Sequence, residues 1–495
     1  MTLLFAGGAR TTLAVGAAAV AVGALLAAGP ALLVLAVGIA VVCFLAAAPT
    51  ALLTAFVGAS IFANYLSAWL PSAGAYPSGA LLRDLLALLV LGVAAAQLSR
   101  PDDHATAAPA RRRLSVFERH VLLSLFLFLG AWMLAVLVFD PEPFLGVYAI
   151  RGITLYVAAG IAAFALVERG RVSGQALGNR TLVLGLVACA IGILDSATHG
   201  AILDVLGYDP NYANVGGLAP VGEQTEFFGH DRASGGVTNA VTFAYLAAIV
   251  AAYALYRLLH DRGRRGRRVL ALEASAVVAG GAACLLSLTR GALIALVLGV
   301  VVIVIAAPPS RWRVAALAAG GALVAAFLIV AGATGLGSVL EQRLTSGDLA
   351  SQLSSEERQS ELEYGLDVLE RHPLGVGLGS FGKAASRYAE LRASEVSYEI
   401  QHIPLLGLAF QLGVVGVAGL LAILLVLSRN AAANFRGGGS FALCAIIIYA
   451  LSLLLGTGGE EPVSAVPLYL LLALSFASPL TPRPQETATF TGKPN

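Results

Sequence analysis

Ser354-Ser355-Glu356-Glu357-Arg358-Gln359, and shortly after it Gly365-Leu366-Asp367-Val368-Leu369-Glu370-Arg371-His372-Pro373-Leu374-Gly375-Val376-Gly377, lie in the longest run of this chain that no membrane would hold. The run extends from about 336 to 402 and closes on Gln401-His402-Ile403-Pro404. Ser354 with Glu357 three residues on is a capping-box pattern and predicts a helix start there. Leu362, Leu366 and Leu369 follow at helical spacing with charges between them, which predicts an amphipathic helix of three or four turns lying on something apolar. His372-Pro373 stops it, because proline disfavours helical geometry in the residue before it and has no amide hydrogen to give.

Outward from this run the chain is apolar in both directions. Of 495 residues, 58% are hydrophobic and only 12% charged, where a soluble domain has roughly a quarter charged. The composition therefore predicts an all-α polytopic membrane protein. Apolar segments of spanning length recur at 12–29, 31–48, 51–70, 81–99, 119–139, 147–167, 179–197, 236–258, 268–288, 290–307, 313–335, 403–428, 440–456 and 463–479, about fourteen transmembrane helices. The first follows a single arginine, Arg10, and reads as a membrane helix rather than a signal peptide, since further spans follow at once. Cys43, Cys189, Cys284 and Cys444 all fall inside apolar runs without metal-ligand spacing, so they read as small core residues.

Charge tests the count, because cytoplasmic loops carry the Lys/Arg excess. With the N-terminus inside, Arg111-Arg112-Arg113, Arg169 to Arg180, Arg262 to Arg268, Arg311 with Arg313, and Arg429 with Arg436 all fall inside. Asp140 with Glu142, the loops 198–235 and 336–402, and Glu460-Glu461 fall outside. The net charge of +2 is thus a topology signal and no sign of a nucleic-acid partner. The organisation expected is 1–200 N-terminal transmembrane helices, 201–430 a core with the two large extracytoplasmic loops, 431–480 C-terminal transmembrane helices and 481–495 a disordered cytoplasmic tail.

Ionisable residues in or beside hydrocarbon cost free energy and usually line a cavity or a site. On this topology Arg83, Asp84, Arg151, Asp195, Arg232, Arg290, Glu460 and Glu461 all sit at outer helix ends, with Glu273 the main exception. Any one of these reads equally well as interfacial snorkelling; the group implies a site in the outer leaflet. Arg290, in Ser287-Leu288-Thr289-Arg290-Gly291, joins two apolar runs too closely for an ordinary loop, and Arg232 opens a glycine-containing entry to the next span. Planar guanidinium groups suit bidentate capture of phosphate oxygens, so these two, with Arg358 and Arg371 in the loop, suit a lipid-linked pyrophosphate. His402, where the loop re-enters the membrane, has the pKa range of a general base, against the commoner role of structural hydrogen-bonder. His372, directly before Pro373, reads as structural. Gly377-Leu-Gly379-Ser-Phe-Gly382 matches GxGxxG in form only, with no preceding strand, and no Walker loop, HExxH or GxSxG occurs.

Arg232-x-Ser234-Gly235-x-x-x-Asn239, Leu288-Thr289-Arg290-Gly291-Ala292, the Arg371-His372-Pro373-Leu374-Gly375 run and His402 followed by Gln411-Leu412-Gly413-Val-Val-Gly416 together resemble the O-antigen ligase and polymerase superfamily of membrane glycosyltransferases. The resemblance covers about 225 to 430. It implies a GT-C-like fold in the bacterial inner (plasma) membrane with an extracytoplasmic active site. It further implies donor pyrophosphate binding by Arg232, Arg290 and Arg358, His402 as the residue that activates or orients the acceptor hydroxyl, and Arg83, Asp84, Arg151, Arg371 and Asn239 in support. The partners it implies are an undecaprenyl-diphosphate-linked oligosaccharide donor, a glycolipid or glycan acceptor and membrane lipids, with no metal and no cofactor. Ile403 and Pro404 depart from the asparagine and aromatic usual after the histidine. A ligase, a polymerase of lipid-linked repeats and, from another class, a lipid-linked glycan transporter or flippase all remain open; a transporter predicts repeated halves and midplane charges.

Overall fold

The computed structural model describes residues 48–63, 78–99, 115–139, 143–205, 226–227, 230–231, 233–234, 240–260, 266–309, 313–314, 349–379, 403–437, 439–455 and 462–477. Its helices are α1 Pro49–Ile61, α2 Ser78–Leu98, α3 Val116–Phe139, α4 Pro143–Glu168, α5 Gly174–Ala197, the short α6 Ala201–Val205, α7 Ala240–His260, α8 Arg267–Leu286, α9 Arg290–Ala306, α10 Leu349–Arg371, α11 Pro404–Ala433, α12 Gly439–Leu455 and α13 Pro462–Ala477. Two-residue strands, Glu226–Phe227 and His230–Asp231, pair antiparallel ahead of α7. Six of the helices are long and apolar enough to cross a membrane and five more apolar helical stretches are shorter. This is a polytopic, helical membrane protein. The expected span 12–29, all of 31–48 but its last residue, all of 313–335 but its first two, and the tail 481–495 lie outside the described residues.

The core is built on α7. Every residue from Thr242 to Leu255 is buried, and α8, α9, α12, α13 and α5 pack round it. Between lipid-immersed helices there is no water to expel, so close contact comes from small side chains. Alanines crowd α7, and α8 meets it at Gly280, where a Cβ would stand 2.8 Å from the Ala247 carbonyl oxygen. At the periphery α3 turns Leu127, Leu134, Val138 and Phe139 outward, as a lipid-facing helix does.

Pairings between helix ends follow the alternation that the loop charges predict. Arg119 at the start of α3 pairs with Glu168 at the end of α4, and the Asn430 amide near the end of α11 donates to Glu118 at 3.0 Å. An Arg169 guanidinium N–H donates to the Leu98 carbonyl at 2.7 Å. Each of these pairs joins ends assigned to one side.

Glu273, the carboxylate that broke the outer-end pattern, is fully buried on α8 and ion-paired to Arg257 of α7, Nε to Oε1 2.9 Å, with the guanidinium 5.6 Å from the Tyr253 ring. Arg257→Ala or Glu273→Ala should lower stability by about 3–5 kcal/mol, because either strands a buried charge, whereas Arg257→Met with Glu273→Met should regain most of the loss. Melting of the purified variants in detergent tests both; an additive double variant would mean that the pair is not coupled.

Candidate functional site

Two pieces of architecture hold Arg290 and the Gln411-Leu412-Gly413 motif quoted from the sequence. The first is the turn between α8 and α9. Its residues 287–289 are all buried. Leu288 adopts φ 54°, a left-handed conformation that non-glycine residues rarely hold and that accumulates where geometry serves a function. Local bonds hold it: the Ser287 hydroxyl donates to the Cys284 carbonyl at 2.6 Å, the Leu288 amide to Leu285 at 3.0 Å and the Thr289 hydroxyl to Ser287 at 3.3 Å. The Ala233 amide, one residue beyond Arg232, donates to the Leu286 carbonyl at 3.1 Å and ties the strand pair's exit to the same turn.

Arg290 is the first residue of α9 and half-buried. Its N-cap, Thr289, makes no capping bond through its side chain. The first-turn amides of a 17-residue helix and a guanidinium therefore face the same end, a combination that favours anions. Among the described residues Arg290 has no carboxylate partner.

The second piece is a break in α11. Gly413 takes φ 65° and ψ −169°, a conformation open in practice only to glycine. An unbroken helix would bond the Val414 amide to the Phe410 carbonyl. Here the turn after α10 occupies that place: Val414 N–H donates to the Pro373 carbonyl at 2.9 Å, and the Phe410 carbonyl accepts from Val376 N–H at 2.7 Å. The Gln411 side-chain oxygen accepts from Gly379 N–H at 3.0 Å. Trp132 of α3 donates its indole N–H to the Leu412 carbonyl at 2.8 Å. Gly375, with φ 95°, lies so close to the break that a Cβ would stand 2.8 Å from both Gln411 O and Gly413 N.

The helix before this turn corrects two expectations. α10 starts at Leu349, so Ser354 and Glu357 lie inside it and not at its start; the preceding Leu-Ala-Ser-Gln-Leu is good enough helix former to extend it. Its packed stripe is Tyr364, Gly365 and Val368, against Leu406 and Phe410 of α11, with Tyr364 and Phe410 rings 6.1 Å apart. Leu362 and Leu366 are exposed, 44% and 55%. The partner presents Leu406 where Gly365 leaves room, and that places the seam one step round from the leucines. The stop before His372-Pro373 stands as expected.

The remaining sequence-predicted residues separate. Arg83 and Asp84, both buried, form their own cluster: Arg83 Nε lies 3.3 Å from Asp84 Oδ1, Tyr156 of α4 donates its hydroxyl to the same oxygen at 2.8 Å, and the guanidinium sits 5.1 Å over the Tyr156 ring. Their charges compensate and brace α2 against α4. Arg371 is exposed and paired along its own helix with Asp367, which raises the guanidinium's already high pKa through a side-chain hydrogen bond. Arg151 and Arg358 lie on α4 and α10. Arg232, Asn239 and His402 lie outside the described residues, His402 two positions ahead of α11. Among the described residues no group of three His, Cys, Asp or Glu is placed to hold a metal.

Residues 274–421, from α8 through the Arg290 turn to the break in α11, match the family profile described as O-antigen ligase. Over 321 residues the chain is 25% identical to an O-antigen polymerase of Salmonella muenchen, covering 62% of this chain and 72% of that one. Both findings are similarities to the O-antigen ligase and polymerase superfamily. Both architectural pieces, the Arg290 turn and the Gly413 break, fall within the matched region.

Sequence reasoning quoted Gln411 and Gly413 only as motif letters and missed their function as fasteners, together with Trp132. The signal was present in a polar residue two positions ahead of a glycine within an apolar span. Gly413→Ala should destabilise by about 2 kcal/mol or more, from backbone strain added to a collision with the Pro373-Leu374 peptide. Gly92→Ala, at a helical glycine with nothing within 4 Å, should instead stabilise by about 0.5–1 kcal/mol. Equal thermal shifts for the two variants would show the break to be an ordinary helix position.

Proposed function

We propose that this protein is an inverting glycosyltransferase of GT-C-like architecture with about fourteen membrane spans, set in the inner membrane with its site on the extracytoplasmic side. It transfers a glycan from undecaprenyl diphosphate to an acceptor hydroxyl. The observation that carries this reading is Arg290, a guanidinium without a carboxylate partner among the described residues, at the start of α9 where Thr289 makes no side-chain cap, held by a left-handed turn. Such an arrangement suits the charge that grows on a departing diphosphate.

In the reaction the acceptor oxygen attacks the anomeric carbon from the face opposite the diphosphate. The new carbon–oxygen bond forms as the bond to the phosphate oxygen breaks, and the electron pair leaves on undecaprenyl diphosphate. His402 takes the acceptor proton, while Arg232, Arg290 and Arg358 receive the leaving charge; no step calls on a metal. Ligase action, with a glycolipid or glycan of another kind as acceptor, is the first reading. The 25% identity with an O-antigen polymerase supports the second, in which the acceptor is another lipid-linked repeat.

Purified protein in lipid, given the lipid-linked oligosaccharide alone and then with envelope lipid, separates the readings. Product that needs the added acceptor identifies a ligase, and a ladder from donor alone identifies a polymerase. Movement of the donor across a vesicle bilayer without transfer would replace both with the transporter reading. Arg290→Ala should lower transfer by about a hundredfold or more while the protein still accumulates, and His402→Ala should lower the chemical step by about 10²–10⁴-fold. Turnover unchanged in either variant removes that residue from the mechanism.

A further inference from the structure

The outer segment of α11, Pro404 to Leu412, is separated from the rest of its helix by Gly413 and fastened to the turn after α10. Two of the fastenings, Val376 to Phe410 and Val414 to Pro373, are backbone to backbone and do not depend on side-chain identity. One fastening is written into the sequence as a side chain. Gln411 is 4% exposed; its oxygen accepts the Gly379 amide, and its nitrogen lies 3.4 Å from the Gly407 carbonyl one turn back on its own helix. A carboxamide is expensive in an apolar span unless its hydrogen bonds are used. Here they bridge the glycine turn and the outer segment. Leu378, fully buried with Met133 and Leu412, seals the same joint.

We propose that Gln411 is a positioning residue for glycan transfer. By holding Gly379 it joins α10, the turn 372–379 and the outer segment of α11 into one block. That block holds the start of α11 at Pro404, which follows His402 by two positions in the sequence, against the helix that carries Arg358. The inference rests on the functional reading above, in which His402 meets the acceptor and Arg358 the donor. Gln411 touches neither. Its contribution is geometric, and small displacements of reacting groups lower turnover strongly.

The test compares Gln411→Met, similar in shape but without the acceptor oxygen, with Gln411→Glu, which keeps one. The Met variant should lose about tenfold in kcat with KM for donor and acceptor within about twofold, since misplacement acts on the chemical step. The Glu variant should recover most of that loss. Hydrogen exchange at the Gly379 amide reports the bond directly: it should accelerate in the Met variant and stay slow in the Glu variant. A Met variant with wild-type kcat, or Met and Glu variants equally impaired and equally poor in accumulation, overturns the assignment while the functional reading survives. A wild type that transfers no glycan removes the functional reading and this assignment together.

Discussion

A backbone amide or carbonyl left unpaired in hydrocarbon costs several kcal/mol, and the junction of α10 with α11 is arranged to avoid that cost at a broken helix. At Gly413 the helical bond from Val414 to Phe410 is replaced by two bonds to the turn Pro373–Val376, so the turn completes the ladder. Everything attached to the turn is fixed by this exchange. α10 must end where its last residues meet α11, Trp132 must reach the Leu412 carbonyl from α3, and the segment ahead of Gly413 points away from the axis of the segment behind it. A glycine at the break and another at Gly375 are required because backbone, not side chain, occupies the space where a Cβ would project.

The other half of the outer architecture depends on the central helix. α7 is buried through most of its length and lined with alanines, so α8 and α9 approach it closely and the turn between them has little freedom. Leu288 holds a left-handed conformation there because buried neighbours and the Ala233–Leu286 bond determine the turn's path from both sides. The core thus fixes Arg290, while the α10–α11 joint fixes the segment Pro404 to Leu412. The architecture within the matched region is accordingly in two parts, one rigid by packing and the other by hydrogen bonds that repair a broken helix.

Charge is distributed along the same division. Arg257 with Glu273, Arg119 with Glu168 and Arg83 with Asp84 are each compensated within the bundle, and they brace helix pairs. Arg290 is placed differently, at a helix start where the backbone dipole adds to its positive field. Two arginines that look alike as letters, Arg83 and Arg290, therefore differ in setting: the first has an adjacent aspartate that a tyrosine hydroxyl also reaches, and the second has neither among the described residues.

Among the described residues, apolar runs of spanning length marked the helices and their order, because length and hydropathy decide what a bilayer accepts. The short join Ser287-Leu288-Thr289 marked Arg290 as a turn residue, and His372-Pro373 marked the end of α10, both through local backbone rules. Sequence spacing misplaced the start of α10 and its packed face, since the choice among several apolar stripes is made by the partner: Leu406 fits at Gly365 and leaves Leu362 and Leu366 outside. The partner of Glu273, the pairing of Gln411 with Gly379 and the break at Gly413 were likewise decided only in the tertiary structure. Each joins residues whose meeting depends on how helices pack, and in a span where every helix is apolar, hydropathy carries no record of which backbone groups will need a partner from elsewhere in the chain.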